Sequence, residues 1–342
     1  MKLDERKKKV LAAIVEGYIN NSKPVGSDYI AKLFENSVSS ATIRSEMAFL
    51  YEVGLLEQPH TSAGRIPSLN GYRFYTENIL QNCGIDDIAK DKITYLLEDS
   101  PNQKACLIKA CSILAEISRC VVVFSSPHSE TEKVQHMEVV RTSSDFCVVV
   151  LATSSGTVRH KICRFDHTIS DGFLRGLNTF LNNTFANRFL RDVTDAFVNS
   201  IIATAPAEYS SFNAILSPIL LCVYQICLES CNVDLYTKGR TNLLLYEELG
   251  KDAWRVLDLL ENPQKVLDLM TAEPDQLEIR VGQNIGGSEL RPFSVLDACY
   301  IIKDLGTGRI AMIGPVRIEY PVCVAYLKYF TEILPTYLKR KD

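Results

Sequence analysis

Residues 38–47, Val-Ser-Ser-Ala-Thr-Ile-Arg-Ser-Glu-Met, constrain this chain more than any other stretch. Val38 precedes a Ser39 N-cap and Ile43 follows the cap by four residues, which is the spacing of a hydrophobic staple at a helix start. Ile43, Met47 and Leu50 then recur at i, i+4 and i+7, giving the helix one apolar stripe. The opposite side carries the small residues Ala41, Ser45 and Ala48, flanked by Thr42 and Arg44. Small residues let a helix sink into a groove, and hydroxyls and a guanidinium supply donors for phosphates and base edges. An ordinary amphipathic surface helix has the same stripe, so the flanking sequence must decide.

Those flanks favour nucleic acid. Residues 4–20 are predicted as a helix whose inward face is Val10, Leu11, Ile14, Val15 and Tyr18. Lys23-Pro24-Val25-Gly26 is a turn, because Pro sets one dihedral and Gly relaxes another. Ser27 is read as the cap of a short second helix with Ile30, Leu33 and Phe34 inward, and Asn36-Ser37 ends it. The third helix follows over 39–53, with Gly54 just beyond its end. Two short helices joined by a tight polar turn make a helix-turn-helix. Leu55-Leu56-Glu57-Gln58, a polar tip His60-Thr61-Ser62-Ala63-Gly64 and a return Arg65-Ile66-Pro67 then form a small hairpin, the wing of a winged helix. Ser68 caps a further helix over 69–81 with Tyr72, Tyr75, Ile79 and Leu80 as an apolar ridge, and 86–98 reads as a connector helix. The recognition helix would place Ala41, Thr42, Arg44 and Ser45 nearest the bases. Lys23, Ser27, Tyr29, Ser39, Ser40 and Arg65 would hold phosphates, His60 and Thr61 would anchor the wing, and Arg73 would add a backbone contact.

Charge argues less strongly than the motif. The net charge is -4 and residues 1–80 hold ten Lys/Arg against nine Asp/Glu, so any positive face is local. With 342 residues and 46% hydrophobic composition the chain can bury more than one core. No stretch of about 18 uncharged apolar residues is present and the N-terminus has no apolar h-region, so neither a membrane span nor a signal peptide is expected, and the location is read as cytoplasmic. The eleven cysteines are scattered without a C-x-x-C pair. Cys222, Cys227 and Cys231 come nearest to a cluster, but no His lies close, so buried reduced thiols are expected and no metal or cofactor. Residues 282–288, Gly-Gln-Asn-Ile-Gly-Gly-Ser, lack the Lys-Ser/Thr that follows a phosphate loop and are read as an inter-strand connection, as is Gly306-Thr307-Gly308. The five His suggest no triad by spacing, and no catalytic residue is assigned.

Beyond residue 100 the pattern alternates between classes. A helix over 103–120 leads into the β-branched run Val121-Val122-Val123-Phe124, and strands at 134–140, 146–153 and 157–165 continue an antiparallel sheet. Residues 171–228 are helical, bounded by Pro206 and Pro218, with Leu/Phe stripes that suit either a plain core or a subunit contact. Asn178, Asn182, Asn183 and Thr184 among them point to a partly exposed surface. Short helices at 254–260 and 263–270, strands at 277–281, 294–303 and 308–313 and a last helix over 322–339 complete the chain. Sheet, helical block, then sheet again is the signature of an α+β domain with an insert.

Ser39 to Arg44, the wing string Pro59-His60-Thr61-Ser62-Ala63-Gly64-Arg65-Ile66-Pro67, Gly71-Tyr72-Arg73-Phe74-Tyr75 and Gly314-Pro315-Val316-Arg317-Ile318-Glu319-Tyr320 resemble the HrcA family of heat-inducible transcription repressors. The resemblance implies a multidomain α+β protein: an N-terminal winged helix-turn-helix, then a GAF-like domain interrupted by a helical dimerisation insert. The expected division is a DNA-binding domain over 1–82, a connector over 83–102, GAF-like parts over 103–166 and 236–342, and the insert over 167–235. It further implies a non-enzymatic homodimeric repressor of chaperone operons, bound to the CIRCE inverted repeat of double-stranded DNA and kept active by the GroE chaperonin. A metabolite-responsive regulator, its GAF-like domain holding a small ligand, is the alternative.

Overall fold

The computed structural model describes residues 3–60, 63–80, 84–129, 131–143, 145–164, 170–204, 213–282, 290–303 and 305–339. The chain divides into two compact units, Met1–Ser126 with Leu235–Ile301 and Gly308–Asp342, and Pro127–Asp234 with Ile302–Thr307.

The first unit opens with the winged helix. Helices α1 (Glu5–Asn21), α2 (Ser27–Leu33) and α3 (Ser40–Glu52) are followed by β1 (Leu56–Glu57) and β2 (Ile66–Pro67), which pair antiparallel, then α4 (Leu69–Asn78) and α5 (Asp87–Glu98). Val10, Leu11, Ile14, Ile30, Ile43 and Leu50 are fully buried between the three helices, so the apolar stripes meet as their spacing requires. Gly26, not Ser27, is the N-cap of α2, and Ser27 is its first helical residue. Val25 pairs in extended conformation with Arg65, forty residues away, and the chain turns into the helix directly after that pairing, so α2 begins one residue earlier than a Ser27 cap would allow.

Ser68 caps α4 as expected and also fastens it. Its Oγ accepts from Gly71 N at 3.0 Å and donates to the Gly54 carbonyl at 2.7 Å. A Cβ on Gly71 would collide with the Leu55 carbonyl oxygen, so the helix start lies directly on the α3–β1 turn. Ser68→Ala removes both bonds. A lost N-cap costs about 1–2 kcal/mol, and amide exchange at Gly71 is expected to quicken about ten-fold under native conditions. Unchanged exchange would show that Ser68 holds nothing. Further along α4, the rings of Tyr72 and Tyr75 stand 6.2 and 6.5 Å from that of Tyr320. The aromatic ridge therefore packs the winged helix onto the rest of its own unit.

After α6 (Gln103–Ser118) and β3 (Val121–Ser125) the chain leaves for the second unit. Strands β4 (Val134–Arg141), β5 (Phe146–Thr153) and β6 (Val158–Arg164) form their own three-stranded antiparallel sheet, with α7 (Asp171–Phe185), α8 (Asp195–Thr204) and α9 (Asn213–Cys231). The expectation that these strands continue the β3 sheet, with the insert starting at 167, is corrected: the insert begins near Pro127. Met137, Val139, Cys147, Val149, Leu151 and Cys163 turn one sheet face inward against Leu177, Leu181, Leu220 and Val223 of the helices, closing a core of its own. Of the α7 asparagines read as marking a partly exposed surface, Asn183 is exposed, whereas Asn178 and Asn182 are half-buried and bonded to β4. Asn178 Oδ1 accepts from Val139 N at 2.8 Å and Asn182 Oδ1 from Met137 N at 3.0 Å, while their amide nitrogens donate to the carbonyls of the same two residues. They seal the outer edge of β4, where unpaired backbone would otherwise stand open. Pro218 lies inside α9 rather than ending it; Pro206 falls outside the described residues.

The chain returns at β7 (Leu235–Lys238), passes through 3₁₀ turns, α10 (Ala253–Leu259) and α11 (Pro263–Leu269), then β8 (Leu277–Val281), β9 (Phe293–Ile302), β10 (Gly306–Pro315) and α12 (Tyr320–Lys339). The larger sheet runs β7-β3-β10-β9-β8. The long excursion between β3 and β7 therefore ends in direct antiparallel pairing of the two, Val122 opposite Lys238. One face is covered by α6 and α12. The other buries Val121, Val123, Phe293, Val295, Ala311 and Ile313 against Leu243, Leu249, Val256, Val266 and Leu269. This is a GAF-like α+β domain with an insert that is itself α+β.

Candidate nucleic-acid interface

Ser39 begins α3 as its spacing predicts. Its backbone is extended (φ -65, ψ 148), and its Oγ accepts from Thr42 N at 3.2 Å and shares a hydrogen bond with Thr42 Oγ1 at 2.9 Å. Ser40 Oγ donates to Asp28 of α2, tying the two helices of the motif together. With Ile43, Met47 and Leu50 buried, the helix turns Ala41, Arg44, Ser45 and Ala48 to solvent and leaves Thr42 half-buried. Arg44 engages no hydrogen bond or ion pair among the described residues, nor does Lys23, which is exposed on the turn before α2. A free guanidinium on a face of small side chains has donors to give to phosphates or to guanine.

The wing stands beside this face. Leu56 pairs with Pro67 and Glu57 with Ile66. Val25 adds a third rung, donating to Arg65 O at 2.8 Å and accepting from Arg65 N at 2.9 Å. A Cβ on Gly64 would strike the carbonyl of Val25, so only glycine permits this close approach. His60 is exposed and its carbonyl accepts from Ala63 N at 2.9 Å; Thr61 lies outside the described residues. Tyr29 is 42% exposed on α2. Between wing and helices runs an open cleft of about 410 Å³ lined by Gly26, Ser27, Asp28, Arg44, Gln58 and Arg65, among others.

The expected contact residues are thus not equivalent. Ala41, Arg44 and Ser45 share one exposed face, and Lys23, Tyr29, Ser39 and His60 are exposed around it. Ser27 is buried, with only its edge on the cleft. Arg65 is half-buried, its guanidinium 5.2 Å from the Tyr51 ring and its Nε without an acceptor. Arg73 is drawn elsewhere: Nε donates to Val281 O at 2.9 Å and Nη1 reaches Asn70 Oδ1. Sequence reasoning missed Glu46, whose carboxylate is buried on α3 and paired with Arg6 and Lys7 of α1. The signal was available, since Glu46 lies three residues beyond Ile43 and four before Leu50, and a carboxylate beside an apolar stripe calls for a cation.

Among the described residues no group of three or more His, Cys, Asp or Glu is placed to hold a metal ion, and no helix is long and apolar enough to cross a membrane. Cys222 and Cys227 are buried, and burial pushes the Cys227 thiol up to about 12, which keeps it protonated.

Comparison with known proteins agrees with the geometry. Residues 104–324 match the family described as HrcA protein C terminal domain. The chain is 31% identical over 346 residues to the heat-inducible transcription repressor HrcA of Caldanaerobacter subterraneus subsp. tengcongensis, covering 99% of this chain and 98% of that one. It is 31% identical over 339 residues to the protein of the same name in Ruminiclostridium cellulolyticum, covering 96% and 95%. A crystal structure of a hypothetical protein at 2.2 Å resolution superposes over 100% of both chains with a TM-score of 0.64 and 25% identity. This chain belongs to the HrcA family.

Proposed function

We propose that this chain is a non-enzymatic, cytoplasmic transcriptional repressor of heat-shock operons that binds the CIRCE inverted repeat of chaperone genes as a homodimer. The observation that carries the reading is the uncommitted Arg44 on the small-residue face of α3, with the wing held beside it by the Val25–Arg65 rung. Ala41, Thr42, Arg44 and Ser45 meet base edges in the major groove. Lys23, Tyr29, Ser39, Ser40 and Arg65 meet phosphates, Ser27 contributes only from the cleft edge, and His60 and Thr61 set the wing on the backbone. Arg73, engaged by Val281, serves the packing of α4 and is withdrawn from the DNA contacts. A two-fold dimer presents two recognition helices to a palindromic site. Apolar side chains exposed on the insert, Leu221 and Leu228 on α9 with Val158 and Ile162 on β6, supply surface for the subunit contact. Membership of the HrcA family supports the further part of the reading, that the GroE chaperonin maintains the active state.

The deciding experiment titrates the full chain against a chaperone-operon inverted repeat and a scrambled duplex at fixed salt, with and without the chaperonin, alongside light scattering at micromolar protein. Tighter binding to the repeat, a mass of two chains and a chaperonin-dependent gain are expected. Equal binding to both duplexes, or a one-chain mass, would defeat the reading. The metabolite-responsive alternative draws on a solvent-open hollow of about 440 Å³ lined by Gln276, Cys299, Lys328 and Glu332, among others, and predicts strong thermal stabilisation by one small molecule.

A further inference from the structure

Glu46 belongs to the helix that presents Arg44, yet the residue is only 6% exposed. Both carboxylate oxygens are taken by the first turn of α1. Oε1 accepts from Arg6 Nε at 2.7 Å and lies 2.5 Å from its Nη2, and Oε2 lies 3.2 Å from Lys7 Nζ. Lys7 is also held by Asp4 at 2.5 Å, and Asp4 Oδ1 caps α1 by accepting from Lys7 N at 2.8 Å. The Lys7 ammonium stands 5.1 Å from the ring of Phe49, one turn further along α3. Hydrogen bonding to Lys7 draws the Asp4 carboxyl below its ordinary range, and Asp4 and then Glu46 hold the Lys7 ammonium above its own.

We propose that Glu46 is a positioning residue for operator reading, and that it does this by clamping α3 to α1 and by withholding Arg6 and Lys7 from general polyanion binding. The proposal rests on the DNA-binding reading above. Its first half follows from directionality. The stripe Ile43, Met47 and Leu50 holds α3 by apolar contact, which is non-directional and tolerates a small roll about the helix axis. Charge-assisted hydrogen bonds from a planar guanidinium are directional and resist it. On a helix of about 5–6 Å radius a roll of about 10° displaces a side-chain tip by about 1 Å, while a binding constellation has to be held within about 0.5 Å. The second half is electrostatic. Arg6 remains about half exposed, but its charge is matched by Glu46. Each cation released to phosphates would steepen the salt dependence of binding by about one unit of log K against log salt, for any DNA sequence.

The test compares wild type with Glu46→Gln, which keeps the side chain's size and removes its charge. The full chain is titrated against the inverted repeat and the scrambled duplex over a range of salt. Operator affinity is expected to fall at least five-fold while affinity for scrambled DNA holds or rises with a steeper salt slope, so the ratio between them collapses. A purely structural Glu46 would move both affinities by the same factor, or neither, and that result overturns the proposal. Arg6→Gln, which leaves Glu46 paired with Lys7, provides a milder second variant: it should lower the ratio in the same direction, and an unchanged ratio there counts equally against. If wild type itself shows no preference for the repeat, the DNA reading has failed first, and the two failures are told apart by that control.

Discussion

Arg44→Ala is expected to weaken operator binding by at least ten-fold at fixed salt while leaving the fold intact. The side chain is exposed and engages nothing among the described residues, so truncation leaves no partner stranded and no cavity. Surface changes of this kind usually alter stability by no more than about 0.5 kcal/mol. In the complex the arithmetic differs. A base-directed contact is worth about 1–3 kcal/mol, and in a dimer the loss is felt in both half-sites, so ten-fold is the lower bound. The signature separates the two kinds of contact: a lost base contact relaxes sequence preference at one position, whereas a lost phosphate contact mainly reduces the salt slope. Fluorescence anisotropy with a set of single-base operator variants reads both. Unchanged affinity would remove Arg44 from the recognition role and leave the exposed face of α3 without its one cation.

What could be read from the sequence was local, and what could not was a matter of partnership. The caps at Ser39 and Ser68, the stripe of α3 and the wing hairpin each depend on residues a few positions apart, and each stands where its spacing places it. Ser27 fails by one position because the extended stretch at Val25 is dictated by Arg65, forty residues later. Arg73 looks like a free cation in sequence, and only the return of β8 supplies the Val281 carbonyl that engages it. Asn178 and Asn182 look like exposed polar groups because nothing in their own helix reveals the backbone edge they meet.

The insert boundary was hidden for a related reason. Sheet membership is a pairing between distant strands, and a strand carries no mark of its partner. One clue lay in the burial period. β3 is buried at every position, as befits a strand covered on both faces, whereas β5 alternates strictly between buried and half-buried. The apolar run of β5, Phe-Cys-Val-Val-Val-Leu-Ala-Thr, masks that alternation, since its outward positions are also apolar. The outward row on that sheet, continued by Val158 and Ile162, is what makes the insert the natural place to look for a subunit contact.

Gly64→Ala tests the wing by geometry alone. The added methyl would meet the Val25 carbonyl carbon and oxygen, which are backbone atoms and cannot swing aside like a flexible side chain. The rung must open, and the two hydrogen bonds between Val25 and Arg65 are lost or lengthened together. Overpacking of this kind costs about 1–3 kcal/mol. Because Val25 directly precedes the Gly26 cap of α2, the displacement passes both to the wing and to the first helix of the motif. Arg65 would leave its seat by Tyr51, and the cleft shared with Arg44 would change width. Operator affinity is therefore expected to fall by at least ten-fold, with a lower unfolding temperature for the winged helix. Pairing the change with Val25→Gly, which trims the side chain but keeps the colliding carbonyl, should not restore binding. Full operator affinity in Gly64→Ala would mean that the wing is dispensable, and recognition would then have to be assigned to α3 without it.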